Sequence, residues 1–519
     1  MELEAVPDWG TIPRMLRDRA SSFGNEKVIA TRGAELPLEW LRIGSSRVAR
    51  SLMALGVEPG DRVSIWAPNS AGWVVTCYGL WDAGAVVAPL STRFKGIEAA
   101  DLLRKVRTKV LFIAEGFMGT SYMDLLKDED IPSVEHIVAF PDGAAAEGAL
   151  TWEAFLELGE QVSEEAAEER ALSVEPGDLA EIMATSGTTG APKGVMLQHW
   201  QLLRGYWDWS GLVTLRQGDR YPIIAPFNHG FGLNAGLLAS VMRVATMIPI
   251  DVFFPDRLLD LIEQLRINVL AGAPTMFFKI LDELEGRDVS SLRVAICGAA
   301  AVPSELIRRM LDETGVERMI NAYGLMEGTV VSMTLPGDPV DVIAGTTGRA
   351  VPGVSLRIVD DRGEDLPPGE RGEILIGGYG VMPGYWEDPD KTAEAVDSEG
   401  WLHSGDIGTL DEAGNLTIVD RKKEMFISNG FNGYPAEIES LLLHCDGVQQ
   451  VAVIGVPDER TGEAALAFVV GPAAPDEIRA WAKANMSNYK VPREVRKLDA
   501  LPLNVNGKVD KLALRASLT

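Results

Sequence analysis

The sequence has few cysteines, fewer basic than acidic residues and no long apolar run. Its three cysteines, Cys77, Cys297 and Cys445, are far apart, and they form neither a CxxC pair nor a cluster with histidines. This excludes a disulfide framework and a zinc knuckle, and it is typical of a reducing cytoplasm. A spanning helix would need about 18 consecutive apolar residues, and the first ten residues lack the pattern of a secretion signal. We therefore expect a cytoplasmic protein without integral membrane association.

Basic residues are outnumbered, because 48 Lys and Arg stand against 75 Asp and Glu, for a formal net charge of −27. Such an excess of carboxylates disfavours nonspecific binding to nucleic acid, so no nucleic-acid partner is expected. The deficit is uneven: from residue 424 onward the counts are 10 basic and 12 acidic residues. Nine of those basic residues lie between Arg479 and Arg515, beside three acidic ones. This basic segment is either a solvated face or a surface that meets phosphates.

At about 150 residues per domain, 519 residues suggest about three folding units. Short β-branched segments alternate with helical ones in the amino-terminal part, as in a strand at Arg62–Ile65, a helix at Ala71–Asp82 and a strand at Ala85–Pro89. The same alternation of strands and helices continues further on, with a helix at Gly236–Arg243. This alternation predicts parallel sheets with crossover helices. After about Gly348, short alternating strands between Asp/Gly turns indicate an antiparallel or barrel-like unit.

The predicted fold class is therefore α/β, with two domains. The first, residues 1–422, is a large domain of layered, mostly parallel sheets with helices and a β-barrel-like subdomain. The second, residues 423–519, is a small α+β domain, because an amphipathic helix near Ala436–His444 and a strand at Val451–Ile454 follow the charged run at 420–423.

One segment, from Met183 to Val195, concentrates glycines, hydroxyl groups and a lysine. Glycine lets the backbone approach an anion closely, and backbone N–H groups, hydroxyls and the lysine supply donors for phosphate oxygens. The phosphate-binding candidates are Thr185, Ser186, Gly187, Thr188, Thr189, Gly190 and Lys193. The loop reads Pro-Lys-Gly where a Walker A loop needs Gly-Lys-Ser or Gly-Lys-Thr, and no GxGxxG follows a strand. A generic P-loop NTPase and a dinucleotide-binding protein are therefore excluded.

The segment TSGTTGAPKG at 185–194 resembles the signature loop of the adenylate-forming enzymes, which include acyl- and aryl-CoA synthetases, firefly luciferase and peptide-synthetase adenylation domains. Further motifs follow in family order along essentially the whole chain. The resemblance implies an ATP-dependent acyl-CoA synthetase that uses ATP, Mg²⁺ and coenzyme A. It would convert a carboxylic acid to acyl-AMP with release of pyrophosphate, and then to the CoA thioester. It also implies that the small domain is mobile.

The resemblance assigns nucleotide-binding roles residue by residue. It implies that Tyr323 stacks on adenine, Asp406 accepts the ribose hydroxyls, and Glu327 with Thr185 holds Mg²⁺. Met326 stands where the family usually has Thr or Ser, so a hydroxyl contact to the α-phosphate is lost or replaced. The further implied ATP or AMP contacts are Gly298, Ala299, Ala300, Asn321, Ala322, Gly324, Arg421 and Lys508.

The segment Ala225–Gly230 resembles the acid-binding segment of the family, with His229 at the junction of carboxylate and nucleotide. The resemblance implies an acyl pocket formed by His229, Phe231, Ala299 and Gly324. It makes Lys423 the hinge, places Gly430 and Phe431 in the CoA tunnel, and makes Lys508 the adenylation lysine. The implied catalytic residues are Lys508, Glu327, Thr185 and His229.

No acidic residue directly follows the acid-binding segment to pair with the ammonium group of an amino acid, which favours an acyl-CoA synthetase. The segment Phe431–Glu437 most resembles bacterial medium-chain and alicyclic acid ligases, including actinobacterial ones of steroid degradation, so a medium-chain, alicyclic or steroid-derived acid is expected. Two alternatives stay open: a stand-alone adenylating enzyme that passes the acyl group to a carrier protein, and a catalytically impaired ATP-binding relative. A homodimer is also left open.

Overall fold

Helices and strands alternate along the chain in the computed structural model, which describes residues 4–141, 143–144, 146–186, 192–298, 302, 304–360, 362–421, 426–433, 435–458, 460–502, 509 and 511–518. The strands are β1 Lys27–Ala30, β2 Glu35–Pro37, β3 Arg62–Trp66, β4 Val86–Val87, β5 Val110–Ile113, β6 His136–Ala139, β7 Leu150–Thr151, β8 Leu179–Ser186, β9 Pro192–Gln198, β10 Arg220–Ile223, β11 Thr246–Pro249, β12 Val269–Gly272, β13 Val294–Gly298, β14 Arg318–Leu325, β15 Thr329–Met333, β16 Arg349–Ala350, β17 Val354–Val359, β18 Gly372–Gly378, β19 Leu402–Leu410, β20 Leu416–Arg421, β21 Phe426–Ser428, β22 Phe431–Gly433, β23 Gln450–Asp458, β24 Gly462–Val470 and β25 Glu494–Lys497.

The α-helices are α1 Ile12–Phe23, α2 Leu38–Ala54, α3 Ala71–Asp82, α4 Gly96–Val106, α5 Tyr122–Leu126, α6 Trp152–Leu158, α7 Glu164–Ser173, α8 His199–Leu212, α9 Ala239–Arg243, α10 Pro255–Leu265, α11 Pro274–Asp282, α12 Ser304–Thr314, α13 Val340–Gly345, α14 Pro389–Ala395, α15 Pro435–Leu442, α16 Pro475–Asn485 and α17 Lys511–Ala516. Two 3₁₀ segments, Phe117–Gly119 and Gly159–Gln161, and a π-helix, Phe231–Leu238, complete the elements.

Helix α3 shows how local chemistry sets these elements. The side chain of Ser70 accepts a hydrogen bond from the backbone N–H of Trp73, which caps the helix start. The helix is buried from Trp73 to its end at Asp82, because it packs between the sheet and α2. The predicted helix Ala71–Asp82 and the strand that precedes it are confirmed.

The large domain is built on four sheets. A seven-stranded sheet has the order β7-β6-β5-β3-β4-β8-β9 and is parallel except for the final antiparallel pair β8–β9. A second sheet, β10-β11-β1-β2, and a third, β12-β13-β14-β15-β16, each begin parallel and end antiparallel. The fourth sheet, β17-β18-β19-β20, is wholly antiparallel. The predicted fold class is confirmed.

The small domain has its own sheet and its own core. Strands β22-β21-β24-β23, with β25 parallel to β24, form the sheet, and α15 and α16 pack on it. Strand β20 ends at Arg421 in the large-domain sheet, and β21 begins at Phe426 in the small-domain sheet. The predicted boundary at residues 422 and 423 lies between these two strands, outside the described residues, and stays a prediction.

The helix predicted at Gly236–Arg243 is correct only in part. An α-helix covers Ala239–Arg243, but the preceding residues Phe231–Leu238 form the π-helix. Gly232 explains part of the local path, because a Cβ atom there would lie 2.2 Å from the carbonyl oxygen of Pro226. Only a residue without a side chain allows this close approach of two backbone segments.

Candidate active site

Strands β8 and β9 flank the phosphate-loop candidates and bring two of them together. Thr185 on β8 and Lys193 on β9 are cross-strand neighbours, so both lie at the end of this antiparallel pair that residues 187–191 connect. The backbone of Ser186 continues β8. Gly187, Thr188, Thr189 and Gly190, which were predicted to contact the phosphates, lie outside the described residues.

Glu327 lies next to this pair. Its Oε1 accepts a hydrogen bond of 3.0 Å from the hydroxyl of Tyr385, and the Thr185 Oγ1 atom lies 3.5 Å from the same oxygen. The Lys193 Nζ atom stands 4.4 Å from the ring centroid of Tyr385. Tyr385 thus holds the predicted metal carboxylate and the loop lysine in one place. The sequence motifs did not indicate this residue.

The oxygens of Glu327 and Thr185 are of the hard type that Mg²⁺ prefers. Among the described residues no group of three or more His, Cys, Asp and Glu side chains could hold a metal ion. In enzymes that use ATP, Mg²⁺ is usually bound by one or two carboxylates of the protein, and the substrate phosphates provide further ligands. The residues present therefore fit the predicted ion.

The predicted adenine and ribose residues lie on strands of two different sheets, which a side-chain hydrogen bond joins. The hydroxyl of Tyr323 on β14 donates to Asp406 Oδ2 on β19 at 2.5 Å, and Asp406 is only 3% exposed. Arg421 is the cross-strand neighbour of Asp406 in the β19–β20 ladder. Gly298 pairs with Ala322 across β13 and β14. Of the predicted neighbours of adenine, Ala299 and Ala300 lie outside the described residues.

Asn321 precedes this group on β14 and is buried. Its side-chain amide donates to the backbone carbonyls of Ile343 (3.1 Å) and Thr346 (2.8 Å), and thereby ties the strand to α13. The amide is therefore engaged in holding the strand, and a role of this position in nucleotide binding stays a prediction.

The predicted acid-binding segment is held in place by Asn69, which the sequence did not single out. Buried Asn69 follows strand β3, and its side-chain amide donates to the backbone carbonyls of Ile223 (3.0 Å) and Ala225 (2.9 Å). Its Oδ1 accepts from the backbone N–H of Phe227 at 2.8 Å. One side chain therefore makes three hydrogen bonds to the segment that leads to His229. In the sequence, Asn69 reads only as a turn residue.

His229 is accessible to solvent, and its Nδ1 accepts a hydrogen bond from the backbone N–H of Phe231 at 3.2 Å. Although the ring is accessible, desolvation by the surrounding protein lowers the pKa of His229. The imidazole is accordingly neutral near pH 7. Phe231, the first residue of the π-helix, lies edge-on to Trp209 with ring centroids 6.4 Å apart.

Met326 packs against this segment. A Cβ atom at Gly230 would lie 3.0 Å from the Met326 sulfur and 3.7 Å from the amide nitrogen of Asn234 in the π-helix. The thioether therefore fills space beside Gly230, where the family pattern expects a hydroxyl. Gly324, predicted in the acyl pocket, lies two residues earlier on β14.

The predicted CoA-tunnel residues form the tip of a hairpin between β21 and β22. Asn429 (φ 53°) and Gly430 (φ 77°) make a two-residue turn with left-handed backbone, as Asn-Gly hairpins require. Phe431 stacks on Tyr489 with centroids 5.1 Å apart, and the guanidinium carbon of Arg93 lies 3.7 Å from the Phe431 ring centroid. The hairpin tip therefore contacts the large domain. Lys423, the predicted hinge, and Lys508, the predicted catalytic lysine, lie outside the described residues.

A buried charged cluster joins the two domains near this hairpin. Lys490, only 1% exposed, lies 2.6 Å from Glu98 on α4 of the large domain and 2.5 Å from Glu437 on α15 of the small domain. The Ser487 hydroxyl donates to the carbonyl of Arg93 at 2.8 Å. Burial lowers the pKa of Lys490, but the two carboxylates outweigh it, so its pKa stays above its ordinary value and the lysine is charged.

Several basic residues in the described part of the segment Arg479–Arg515 are engaged with carboxylates. Lys490 is buried at the domain junction, and Arg493, Arg496 and Lys511 pair with carboxylates of the small domain itself. Lys490 therefore belongs neither to a solvated face nor to a surface that contacts phosphates.

In the described part of the chain, every helix is too short or too polar to cross a lipid bilayer.

Comparison with known proteins agrees with this geometry. Residues 17–386 match the family model described as AMP-binding enzyme, and residues 437–508 match the AMP-binding enzyme C-terminal domain. The chain is 41% identical to a 3-[(3aS,4S,7aS)-7a-methyl-1,5-dioxo-octahydro-1H-inden-4-yl]propanoyl:CoA ligase of Rhodococcus jostii, over 97% of this chain and 98% of that protein. It is also 41% identical to the Mycobacterium tuberculosis ligase of the same name, over 98% and 99%.

A solved structure of Bacillus subtilis o-succinylbenzoate CoA synthetase, bound to a product analogue, matches with a TM-score of 0.81 at 25% identity. That match covers 97% of this chain and 98% of the other. The chain therefore belongs to the AMP-binding enzymes, in the acyl-CoA synthetase branch of the adenylate-forming superfamily. It is an AMP-forming acid–thiol ligase, for which ATP and CoA are co-substrates.

Proposed function

We propose that the acid substrate is a fused-ring alicyclic propanoate. The observation that supports this best is the identity of 41%, over nearly the full length, with two ligases named for a bicyclic propanoyl group. A bicyclic ring presents a rigid apolar body with a short carboxylate arm. Such a ligand binds mainly through buried apolar surface, at about 25 cal/mol per Å².

The acid-binding segment suits a ligand of this kind. Phe231, supported edge-on by Trp209, offers an aromatic wall, and Met326 offers a flexible apolar one. Methionine fills irregular space and adapts to different shapes. Neutral His229 lies just before this wall, where the carboxylate arm would approach the nucleotide.

In the first half-reaction, a carboxylate oxygen of the acid attacks the α-phosphorus of ATP. The bond from that phosphorus to the pyrophosphate oxygen breaks, and pyrophosphate leaves with its electron pair. The protein contributes mainly positioning and charge neutralisation. Lys193, oriented by Tyr385, supplies one positive charge beside the phosphates. Glu327 and Thr185 would hold Mg²⁺, which would neutralise phosphate charge.

Asp406 and Tyr323 place the nucleoside. Since Tyr323 already donates to one carboxylate oxygen, the aspartate is fixed in orientation before the ribose diol arrives. A carboxylate is suited to accept both hydroxyls of a diol. Arg421 is opposite Asp406 in the ladder, and a contact of Arg421 with the ribose is part of the proposal.

In the second half-reaction, the CoA thiolate attacks the acyl carbon of the adenylate, and AMP leaves. The contact of Phe431 with Arg93 of the large domain supports a role of Gly430 and Phe431 as a wall of the CoA tunnel. In the adenylation step, Lys508 would instead reach the phosphates after rotation about Lys423. Both roles are part of the proposal.

The substrate proposal is tested with a panel of acids. Pyrophosphate release and CoA thioester formation are measured for a bicyclic propanoate, octanoate and ferulate, with and without CoA. We expect kcat/KM to be at least about tenfold higher for the bicyclic acid, because pocket shape discriminates by this order. An equal or higher kcat/KM for octanoate or ferulate would show that the substrate class is wrong.

The same panel separates the two alternatives. Pyrophosphate release that CoA leaves unchanged, with no thioester formed, would indicate transfer to a carrier protein. The absence of release with every acid would indicate an impaired relative, but the intact pair of Glu327 and Tyr385 speaks against it. The three buried, unpaired thiols support a cytoplasmic location. A homodimer stays a prediction for size-exclusion chromatography with light scattering.

The role of Lys508 has its own test. Lys508→Ala is expected to lose at least about a thousandfold in acyl-AMP formation, because a charge that stabilises the transition state is removed. Thioester formation from supplied acyl-AMP and CoA should change less than about threefold, because Lys508 is withdrawn in that step. Equal losses in both half-reactions would contradict the role.

A further inference from the structure

A buried pair of side chains connects the strand that leads to Thr185 with the π-helix that follows His229. Glu181 lies on β8 and Asn234 lies in the π-helix, and both residues are 0% exposed. The Asn234 Nδ2 atom donates to Glu181 Oε2 at 3.0 Å. The second oxygen of each side chain, Glu181 Oε1 and Asn234 Oδ1, is also buried and has no hydrogen-bond partner.

Each of these two buried acceptors has lost its hydrogen bonds to water without gaining a donor, which is unfavourable. A protonated carboxyl solves this. Its O–H group can donate to the Asn234 Oδ1 while its other oxygen accepts from Nδ2. Both residues are then satisfied by one closed ring of two hydrogen bonds.

The surroundings favour the neutral form. Two titratable groups, Cys77 on α3 and Tyr206 on α8, interact with Glu181, and burial raises the pKa of both above their ordinary values. A hydrogen bond from the side chain of Asn234 lowers the pKa of Tyr206 in part, so the amide also has this neighbour. Neither group brings a positive charge, and no cation is among the groups found to shift the pKa of Glu181. Burial raises that pKa to about 8, although the hydrogen bond from Asn234 lowers it in part.

The pair also has a direct path to the acid-binding segment. The Asn234 amide nitrogen lies 3.7 Å from where a Cβ of Gly230 would stand, and Met326 contacts the same point. Gly230 follows His229 directly. The orientation of the Asn234 amide therefore bears on the wall formed by Gly230 and Met326.

We infer that Glu181 acts as a neutral carboxylic acid, joined to Asn234 by two hydrogen bonds, and that this pair positions the acid-binding segment. Glu181 is a positioning residue and makes no contact with the reacting atoms. Ionisation of Glu181 sets a negative oxygen against Asn234 Oδ1, breaks one bond and lets the segment shift. The inference rests on the acid-binding role proposed above for residues 225–231.

The discriminating variant is Glu181→Gln. A glutamine amide donates where the carboxylic acid donates and accepts where it accepts, so it reproduces the neutral pair at every pH. For the wild type, kcat/KM for the acid should fall by about tenfold per pH unit above a midpoint near 8. Glu181→Gln should keep its value at pH 7 and lose this fall, while KM for ATP changes less than about twofold in both.

Two further variants complete the design. Glu181→Leu leaves Asn234 without a partner, so KM for the acid should rise by about tenfold or more at every pH. Glu115→Gln alters another buried carboxyl, whose partners are the backbone N–H groups of Tyr122 and Met123, away from the site. That variant should keep the alkaline fall of the wild type. An alkaline fall that persists in Glu181→Gln, or a wild type without any fall, would overturn the inference.

Infrared difference spectroscopy gives a readout that needs no turnover. The wild type at pH 7 should show the carbonyl band of a protonated carboxyl, and this band should be absent from Glu181→Gln and present in Glu115→Gln. If no acid is turned over, the proposed function fails while this band still decides the state of Glu181. A spectrum without the band contradicts the inference even in a fully active enzyme.

Discussion

Glu181 and Glu98 are both buried carboxyls of the large domain, yet Glu181 faces an amide and Glu98 faces a lysine. The first pair lies between two elements of one domain, and the second belongs to the cluster that joins the two domains. A neutral pair that is hydrogen-bonded has a low free-energy cost of burial, so it can stay buried permanently. A charged cluster regains hydration when the two surfaces separate, so it is compatible with the proposed rotation of the small domain. The chemistry of each buried carboxyl thus reflects whether its surroundings stay together.

The largest effect is expected from removing the cation of the junction. Lys490→Met leaves buried Glu98 and largely buried Glu437 without their positive partner, which should destabilise the folded chain by about 3–5 kcal/mol. Calorimetric unfolding measures this. Lys497→Ala, which removes a lysine bonded to the carbonyl of Pro472, is the matched control and should change little. If Lys490→Met unfolds at the same temperature as the control, Lys490 does not stabilise the junction of the two domains.

The next largest effect distinguishes Glu181 from Glu98 by the pH dependence of the free energy of unfolding. The pKa of Glu181 is raised from 4.5 to about 8 on folding, so the folded chain binds the extra proton, and stability falls as pH rises through this window. Glu181→Gln has no such proton. Relative to the wild type it should gain about 1.4 kcal/mol per pH unit between about pH 5 and 8. Denaturant unfolding at several pH values measures the difference, and a constant difference would contradict a neutral Glu181.

The smallest effect concerns the movement of the joint. Glu98→Gln keeps the volume and leaves the pair of Lys490 and Glu437 intact within the small domain. The docked arrangement, with Phe431 against Arg93, should then be weaker, and thioester formation from supplied acyl-AMP should slow by about three- to tenfold. Pyrophosphate exchange should not change.

The control for that variant is Asp101→Asn on the same helix, because its carboxylate pairs with Arg104 at the surface. It should leave both half-reactions as they are. A fall in pyrophosphate exchange equal to the fall in thioester formation would show that Glu98 supports the fold and has no special part in docking.

Local motifs predict much of the proposed site, and the structure brings several of the predicted residues together, while their roles stay predictions. Tyr323, Glu327 and Asp406 are recognisable because each belongs to a short segment whose chemistry fits a nucleotide, and the structure brings Tyr323 and Asp406 into contact. The glycines, hydroxyl groups and lysine of the segment Met183–Val195 likewise predict a phosphate loop. The parallel sheets followed from alternation of strands and helices, which depends on local pattern.

What the sequence did not reveal depends on contacts between distant segments. Asn69 is separated by more than 150 residues from the backbone it holds, and Tyr385 meets Glu327 across 58. Neither belongs to a motif, so only the fold shows their roles. The π-helix was missed for a similar reason, because its apolar sequence fits an α-helix equally well and the close approach of Gly232 to Pro226 decides the path.

The π-helix Phe231–Leu238 affects how the proposed acid-binding region can change in sequence length. A π-helix directly followed by an α-helix takes up one residue more or less by changing its winding, while Ala239–Arg243 keeps its register. A single-residue deletion between Phe231 and Leu238 would turn the side chains of Phe231 and Asn234 relative to each other without displacing the sheet behind them. If these residues bind the acid as proposed, a change of length within them would alter acid specificity while the sheets stay unchanged.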